Sequence, residues 1–315
     1  MTPRLEPIYE WRGVRGASLA ELVGDEPLRL EPDGVREAFG ETAATGATCI
    51  AGARVSPPGY LRGVAPRSSG RPLRSLLERV CERIPSRRVA LALGGGVDSA
   101  VLAALLRDRA VAYTLAGLPG YGEEREAVAV ARRLGIELRS VEAGEAEFVV
   151  ALPGAIRACE RPLYNLHPVG RLLLARAVRT DGFDCLVTGD GADQVFGGTS
   201  AGDYLPLVGS LGRAAGVVTV APFLHPTLAR QVALDPDKLA LRKLALELGV
   251  PEEIALRPKR ARFAPPMDLA AHWDGPLAAS LGRALGRAPS RATDRERVSW
   301  TTLGLFARSF PGLEA

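Results

Sequence analysis

Residues 88–107, RVALALGGGVDSAVLAALLR, place an uninterrupted apolar run ahead of three glycines and a helical pattern. An apolar run without polar alternation suits a strand buried on both faces, and such strands belong to parallel sheets with helical crossovers. The theme recurs along the chain. VAYTLAG (111–117) reads as a second strand, with a helix over 123–134 after it that turns Ala127, Val130 and Leu134 inward. IELRSVEA (136–143) reads as a third strand, and FDCLVTG (183–189) as a fourth. Pro168 opens a helix running to Val178, as proline does at a first helical position. A further helix starts at Pro72, with Leu73, Leu76, Leu77, Val80 and Ile84 on one face. The expected fold class is α/β, a doubly wound parallel sheet followed by a helical part beyond residue 205. Ligands in such sheets bind past the carboxyl ends of the strands, where the Gly-rich turns fall.

Composition narrows the function classes. With 47% hydrophobic and 24% charged residues the chain is an ordinary globular one, not a disordered or low-complexity one. The longest apolar stretch, Val89 to Leu106, is broken by three glycines and Asp98, so no membrane span is expected. The charged start, MTPRLEPIYEWRG, lacks the apolar core of a signal peptide, and a cytoplasmic location is expected. The net charge of +4 is spread out, without the basic block that nucleic-acid binding needs. Cys49, Cys81, Cys159 and Cys185 show no CxxC spacing and read as buried free thiols. His167, His225 and His272 are too scattered for a metal site and read as structural. Residues 1–70 are rich in Gly, Pro and short polar breaks, and end in SPPGYLRGVAPRSSGRP, which marks a boundary.

Two Gly-rich turns carry the chemistry. Gly94, Gly95 and Gly96 open a helix whose first turn holds Asp98 and Ser99. Glycines let backbone N–H groups approach an anion, and the helix N-terminus adds partial positive charge. Asp98 would repel a phosphate unless a magnesium ion lay between them. The Walker loop is excluded by the missing Gly-Lys-Ser/Thr. A dinucleotide fingerprint fits poorly, because the second strand ends without an acid. On its own the turn also fits a plain helix start capped by Asp98 and Ser99. The second turn, TGDGADQVFGG (188–198), sets Asp190 and Asp193 three residues apart between glycines. By itself it fits a cap and a turn as well as a site.

Together the two turns resemble the asparagine synthetase superfamily. Its pyrophosphate loop reads Ser-Gly-Gly-x-Asp-Ser, with Gly94 here replacing the first serine. Its second signature is similar to 188–198, with Gln194 at the position usually held by Glu. Glu123, Glu160-Arg161-Pro162, APFL (221–224), KLALR (238–242) and PEEIALRPKRARFAPP (251–266) resemble further motifs in order. His225 stands where the family has Asp, and Val220 where an arginine is usual. ATCIAGARVSPPGYL (47–61) resembles the end of the family's glutaminase domain, so 1–70 is expected to be a short remnant of that domain and 71–315 the ATP-binding synthetase domain. Thr2 stands where glutamine-dependent members carry a cysteine nucleophile, and glutamine hydrolysis is not expected.

The resemblance implies a fold of the ATP-pyrophosphatase-loop kind and a ligase reaction. A carboxylate attacks the α-phosphorus of ATP, and ammonia or an amine then attacks the acyl-adenylate. ATP would be the substrate and Mg2+ the metal, held by Asp98 and Asp193. Gly94, Gly95, Gly96, Asp98, Ser99, Thr114 and Gly189 would line the ATP and pyrophosphate site. Lys259 would stabilise the charged transition states, Lys238 would support the phosphate side, and Asp190 would be the base for the amine. The chain holds only three lysines among 40 basic residues, and two of them fall at these positions; Lys243 reads as a solvated helix face. Intramolecular amide formers of the β-lactam synthetase or lasso-cyclase kind, and a non-catalytic nucleotide-binding subunit, stay open as alternatives. The partners expected are a small carboxylate with ammonia or an amine, and neither nucleic acid nor membrane. A separate amidotransferase or biosynthetic partner and a homodimer are left open.

Overall fold

A computed structural model of the chain describes residues 5–43, 45–56, 71–84, 86–197, 205–258 and 265–314. The Gly/Pro-rich stretch 57–70 and Lys259 lie outside the described residues. Strands β1 (Ile8–Trp11), β2 (Val14–Gly16) and β3 (Arg54–Ser56) form one sheet, in the order β2-β1-β3. Strands β4 (Val89–Ala92), β5 (Ala110–Ala116), β6 (Leu138–Glu142), β7 (Cys185–Val187) and β8 (Val218–Val220) form another, in the order β6-β5-β4-β7-β8. The chain divides into two compact units.

The first unit takes in residues 58–144 and 171–262, with 1–5. Its five-stranded sheet is parallel throughout. Alternate residues of each strand feed two separate cores. Val89, Leu91, Ala112, Cys185 and Val187 join one cluster, while Ala90, Val111, Tyr113 and Leu186 join the other. Apolar side chains are needed on both faces, which is why these strands read as continuous apolar runs. The helix Val97–Leu106 is buried nearly all round, and the helix Leu239–Glu247 packs against it. On the opposite face Leu174, Ala175 and Val178, from the helix His167–Thr180, cover the sheet.

The sheet has one strand more than the apolar runs predict. The segment after residue 205 reads as helical and loop-rich, yet Val218–Val220 pairs with β7 as an edge strand. Three residues are too few to show a period, and Val218 is exposed at the sheet edge. The strand order reverses between β4 and β7, and their register pairs Leu91 with Val187. Both Gly-rich turns therefore leave the sheet side by side at its switch point, the place where such sheets bind ligands.

The second unit takes in 6–57, 145–170 and 263–315. Its largest helices are Glu145–Cys159 and Asp294–Arg308, the latter opened by a capping box between Thr293 and Glu296. Trp300 is fully buried, edge-on to Phe39 at 5.7 Å between ring centroids. The Glu160 carboxylate accepts the Leu19 and Ala20 amides at 2.9 Å and the Ser18 hydroxyl at 2.7 Å. It thereby ties the start of the helix Leu19–Val23 to residues 145–170. All four cysteines are buried and free. Burial pushes the Cys49, Cys81 and Cys159 thiols up to about 12, which makes them inert. Among the described residues no helix is long and apolar enough to cross a membrane.

Candidate active site at the switch point

The turn after β4 is bound to its own helix. The Gly94 amide donates to Ser99 Oγ at 3.3 Å, and that hydroxyl donates to the Gly96 carbonyl at 3.2 Å. Gly96 is the N-cap of the helix Val97–Leu106 and places Asp98 in the first turn. The Gly95 amide donates to Glu123 Oε2 at 2.6 Å. Arg257 clamps this contact, with Nη1 3.2 Å from the Gly95 carbonyl and 3.1 Å from Glu123 Oε1. A carboxylate thus occupies one amide of the loop that glycine keeps open to anions. A side chain at Gly95 would collide with Arg257 at 2.2 Å.

The second turn approaches the first as closely as backbones can. A Cβ at Gly189 would lie 3.0 Å from the Ser99 nitrogen and 3.2 Å from Asp98 Cβ. Gly191 has φ +90°, a conformation that L residues rarely adopt, and a Cβ there would meet Leu224 Cγ at 2.2 Å. These two glycines set Asp190 and Asp193 beside the first loop.

Lys238 joins the two turns. Its ammonium lies 2.8 and 2.7 Å from the two oxygens of Asp98 and 2.7 Å from Asp193 Oδ1. The side chain is only 9% exposed. Its backbone is left-handed at φ +54°, an uncommon state for a non-glycine residue, just before the helix Leu239–Glu247. Asp235 holds the bend by accepting the Lys238 amide on its carbonyl and the Ala240 amide on its carboxylate, both at 2.8 Å. Lys243 is exposed on the same helix, as a solvated lysine should be.

Gly94, Gly95, Gly96, Asp98, Ser99, Gly189, Asp193 and Lys238 come together. Asp190 adjoins them and is held by Arg171, with both oxygens at 2.9 Å from the guanidinium nitrogens. Thr114 is buried within β5. Arg171 carries no motif signal, because it lies on the preceding helix and no spacing links it to Asp190. His225 caps the helix Pro226–Gln231, its Nδ1 accepting the Thr227 amide at 3.2 Å. An aspartate would cap the same way, so the departure at this position keeps the cap. Among the described residues no three His, Cys, Asp or Glu side chains converge as a metal cluster.

Residues 73–214 match the asparagine synthase family model. That match spans the loop after β4, the turn after β7 and Glu123. This segment, 73–214, is of the asparagine synthetase-like, ATP-pyrophosphatase-loop kind. Similar curated proteins carry several names. Amidase chry2 of Gibberella zeae is 32% identical over 146 residues, 40% of this chain and 22% of that protein. One subunit of the glutamine-hydrolyzing GMP synthase of Methanococcus maripaludis is 29% identical over 188 residues, 58% of this chain and 56% of that one. GMP synthase of Thermus thermophilus is 32% identical over 194 residues, covering 59% and 36%. This chain therefore spans between about a fifth and somewhat over half of the length of these relatives.

Proposed function

We propose that the protein is an AMP-forming, ATP-dependent ligase that joins a carboxylate to ammonia or an amine. The observation that carries the reading is the Lys238 ammonium between Asp98 and Asp193, at the meeting point of the two Gly-rich turns. Two carboxylates against one ammonium leave the trio negative, which opposes a triphosphate unless another cation enters. Asp98 and Asp193 have the donor chemistry magnesium takes, two hard carboxylate oxygen ligands beside a phosphate; the Lys238 ammonium now lies between them and would have to shift to admit the ion. When bound, the ion would supply positive charge against the departing pyrophosphate.

The chain's own groups divide the remaining work. The amides of Gly94 to Gly96 and the Ser99 hydroxyl receive pyrophosphate oxygens, once Glu123 yields the Gly95 amide. Gly189 flanks the nucleotide, whereas Thr114, buried within β5, has almost no surface to offer it. The substrate carboxylate oxygen attacks the α-phosphorus and pyrophosphate leaves. Lys238 sets positive charge against the negative charge that grows on the departing pyrophosphate, which is where such enzymes gain most, and the motif position of Lys259 gives it the same task. The amine nitrogen then attacks the acyl carbon, AMP leaves, and Asp190 accepts the N–H proton. Ammonia arrives free or from a separate amidotransferase. Aspartate is the first carboxylate to try, because the family match is to asparagine synthase.

The test is carboxylate-dependent exchange of labelled pyrophosphate into ATP, run over a panel of carboxylates, followed by AMP release with ammonium. Exchange with aspartate and asparagine formation support the leading case. Exchange only with a larger amino-carboxylate moves the reading to an intramolecular amide former. No exchange with any carboxylate overturns the ligase reading.

A further inference from the structure

Arg171 is selected by no motif, yet it is ion-paired with Asp190 beside the two turns. Its Nη1 lies 2.9 Å from Asp190 Oδ2 and its Nη2 2.9 Å from Asp190 Oδ1, a two-pronged fork. The pair is largely withdrawn from water, at 23% and 11% side-chain exposure. Both ends of the contact are anchored. Arg171 stands on a helix fastened to the sheet by Leu174, Ala175 and Val178. Asp190 sits between Gly189, pressed against Asp98 and Ser99, and Gly191, pressed against Leu224.

A carboxylate offers about four lone-pair sites on its two oxygens, and a guanidinium fork takes one on each. The rest stay available to N–H donors of an incoming amine, while the fork fixes the plane in which they lie. A lysine could supply the charge but not the plane. We propose that Arg171 is a positioning residue for the amide-forming half of the reaction, orienting Asp190 toward the amine. This rests on the ligase reading above, in which Asp190 meets the amine.

The experiment measures the two halves separately in Arg171→Met and Arg171→Lys. Pyrophosphate exchange, with a carboxylate the unsubstituted protein accepts, stays within about twofold in both variants, because positioning of Asp190 enters after adenylation. Amide formation falls about 10- to 100-fold in the Met variant, the worth of a charge-assisted pair, with the KM values for ATP and carboxylate unchanged. The Lys variant recovers only part of that loss. Equal losses in both halves, together with a lowered Tm, overturn the assignment and make the pair a structural tie. Undiminished amide formation in the Met variant overturns it, as does a Lys variant that matches the unsubstituted protein. If the unsubstituted protein shows no exchange at all, the ligase reading itself fails and the assignment falls with it.

Discussion

The Lys238 ammonium lies within 2.8 Å of both carboxylate oxygens of Asp98 and 2.7 Å from Asp193, though the three residues come from three separate stretches of chain. Removing that charge leaves two carboxylates facing each other in a partly buried place. Lys238→Met is expected to lower stability by about 3–5 kcal/mol, the cost of breaking such a pair. Added magnesium is expected to recover part of the loss, by taking the position between the two aspartates. Carboxylate-dependent pyrophosphate exchange should fall about 100-fold or more. Thermal unfolding with and without magnesium, beside the exchange assay, checks all three outcomes.

Gly189→Ala tests how tightly the two turns approach. The added methyl would lie 3.0 Å from the Ser99 nitrogen, a backbone atom at the head of a buried helix that has little room to move. The expected cost is about 1–3 kcal/mol of overpacking, with loss of exchange activity beyond what the stability change explains. Gly191→Ala should cost more, because it adds backbone strain at φ +90° to a clash with Leu224. Denaturant unfolding of both variants gives the order. A Gly189→Ala protein as active and as stable as the parent would show that the turns part easily.

The parallel sheet was legible because its strands are buried on both faces. Val89-Ala90-Leu91 must be apolar throughout when alternate residues enter two cores. The two turns were legible because glycine and aspartate are costly choices there without a backbone or ligand reason. β8 escaped because three residues carry no period. Arg171 escaped because its meeting with Asp190 depends on where the helix His167–Thr180 docks on the sheet, which local pattern does not encode. Glu160 was singled out by resemblance alone, and the fold shows what the side chain does: it caps a helix start from afar.

Glu160→Ala should therefore act on stability. The carboxylate satisfies two amides and the Ser18 hydroxyl, with the Tyr9 side chain hydrogen-bonded to it as well, and its backbone sits at φ +50°. Leaving these donors without an acceptor costs about 1–3 kcal/mol. Gln at this position keeps one acceptor oxygen and should fall between the two. Calorimetric Tm values for the three proteins decide the order. A Glu160→Ala variant as stable as the parent would mean that water satisfies Ser18, Leu19 and Ala20 equally well.

His225 makes a pH-dependent contribution whose sign follows from its burial. Burial, reinforced by the Arg83 guanidinium, holds the imidazole below its ordinary value of 6.5. The neutral ring is also the form that accepts the Thr227 amide on Nδ1. The unfolded chain then binds the proton more readily than the folded one, so stability rises with pH through this window. The contribution is complete above about pH 6.5, the unfolded value, and is lost progressively as pH falls through the lower folded value. His225→Asn keeps a cap acceptor without a titrating ring. Its Tm should fall less steeply than that of the parent as the pH drops below about 6.5. Parallel Tm curves for the two proteins across that window would remove His225 as the source of the pH dependence.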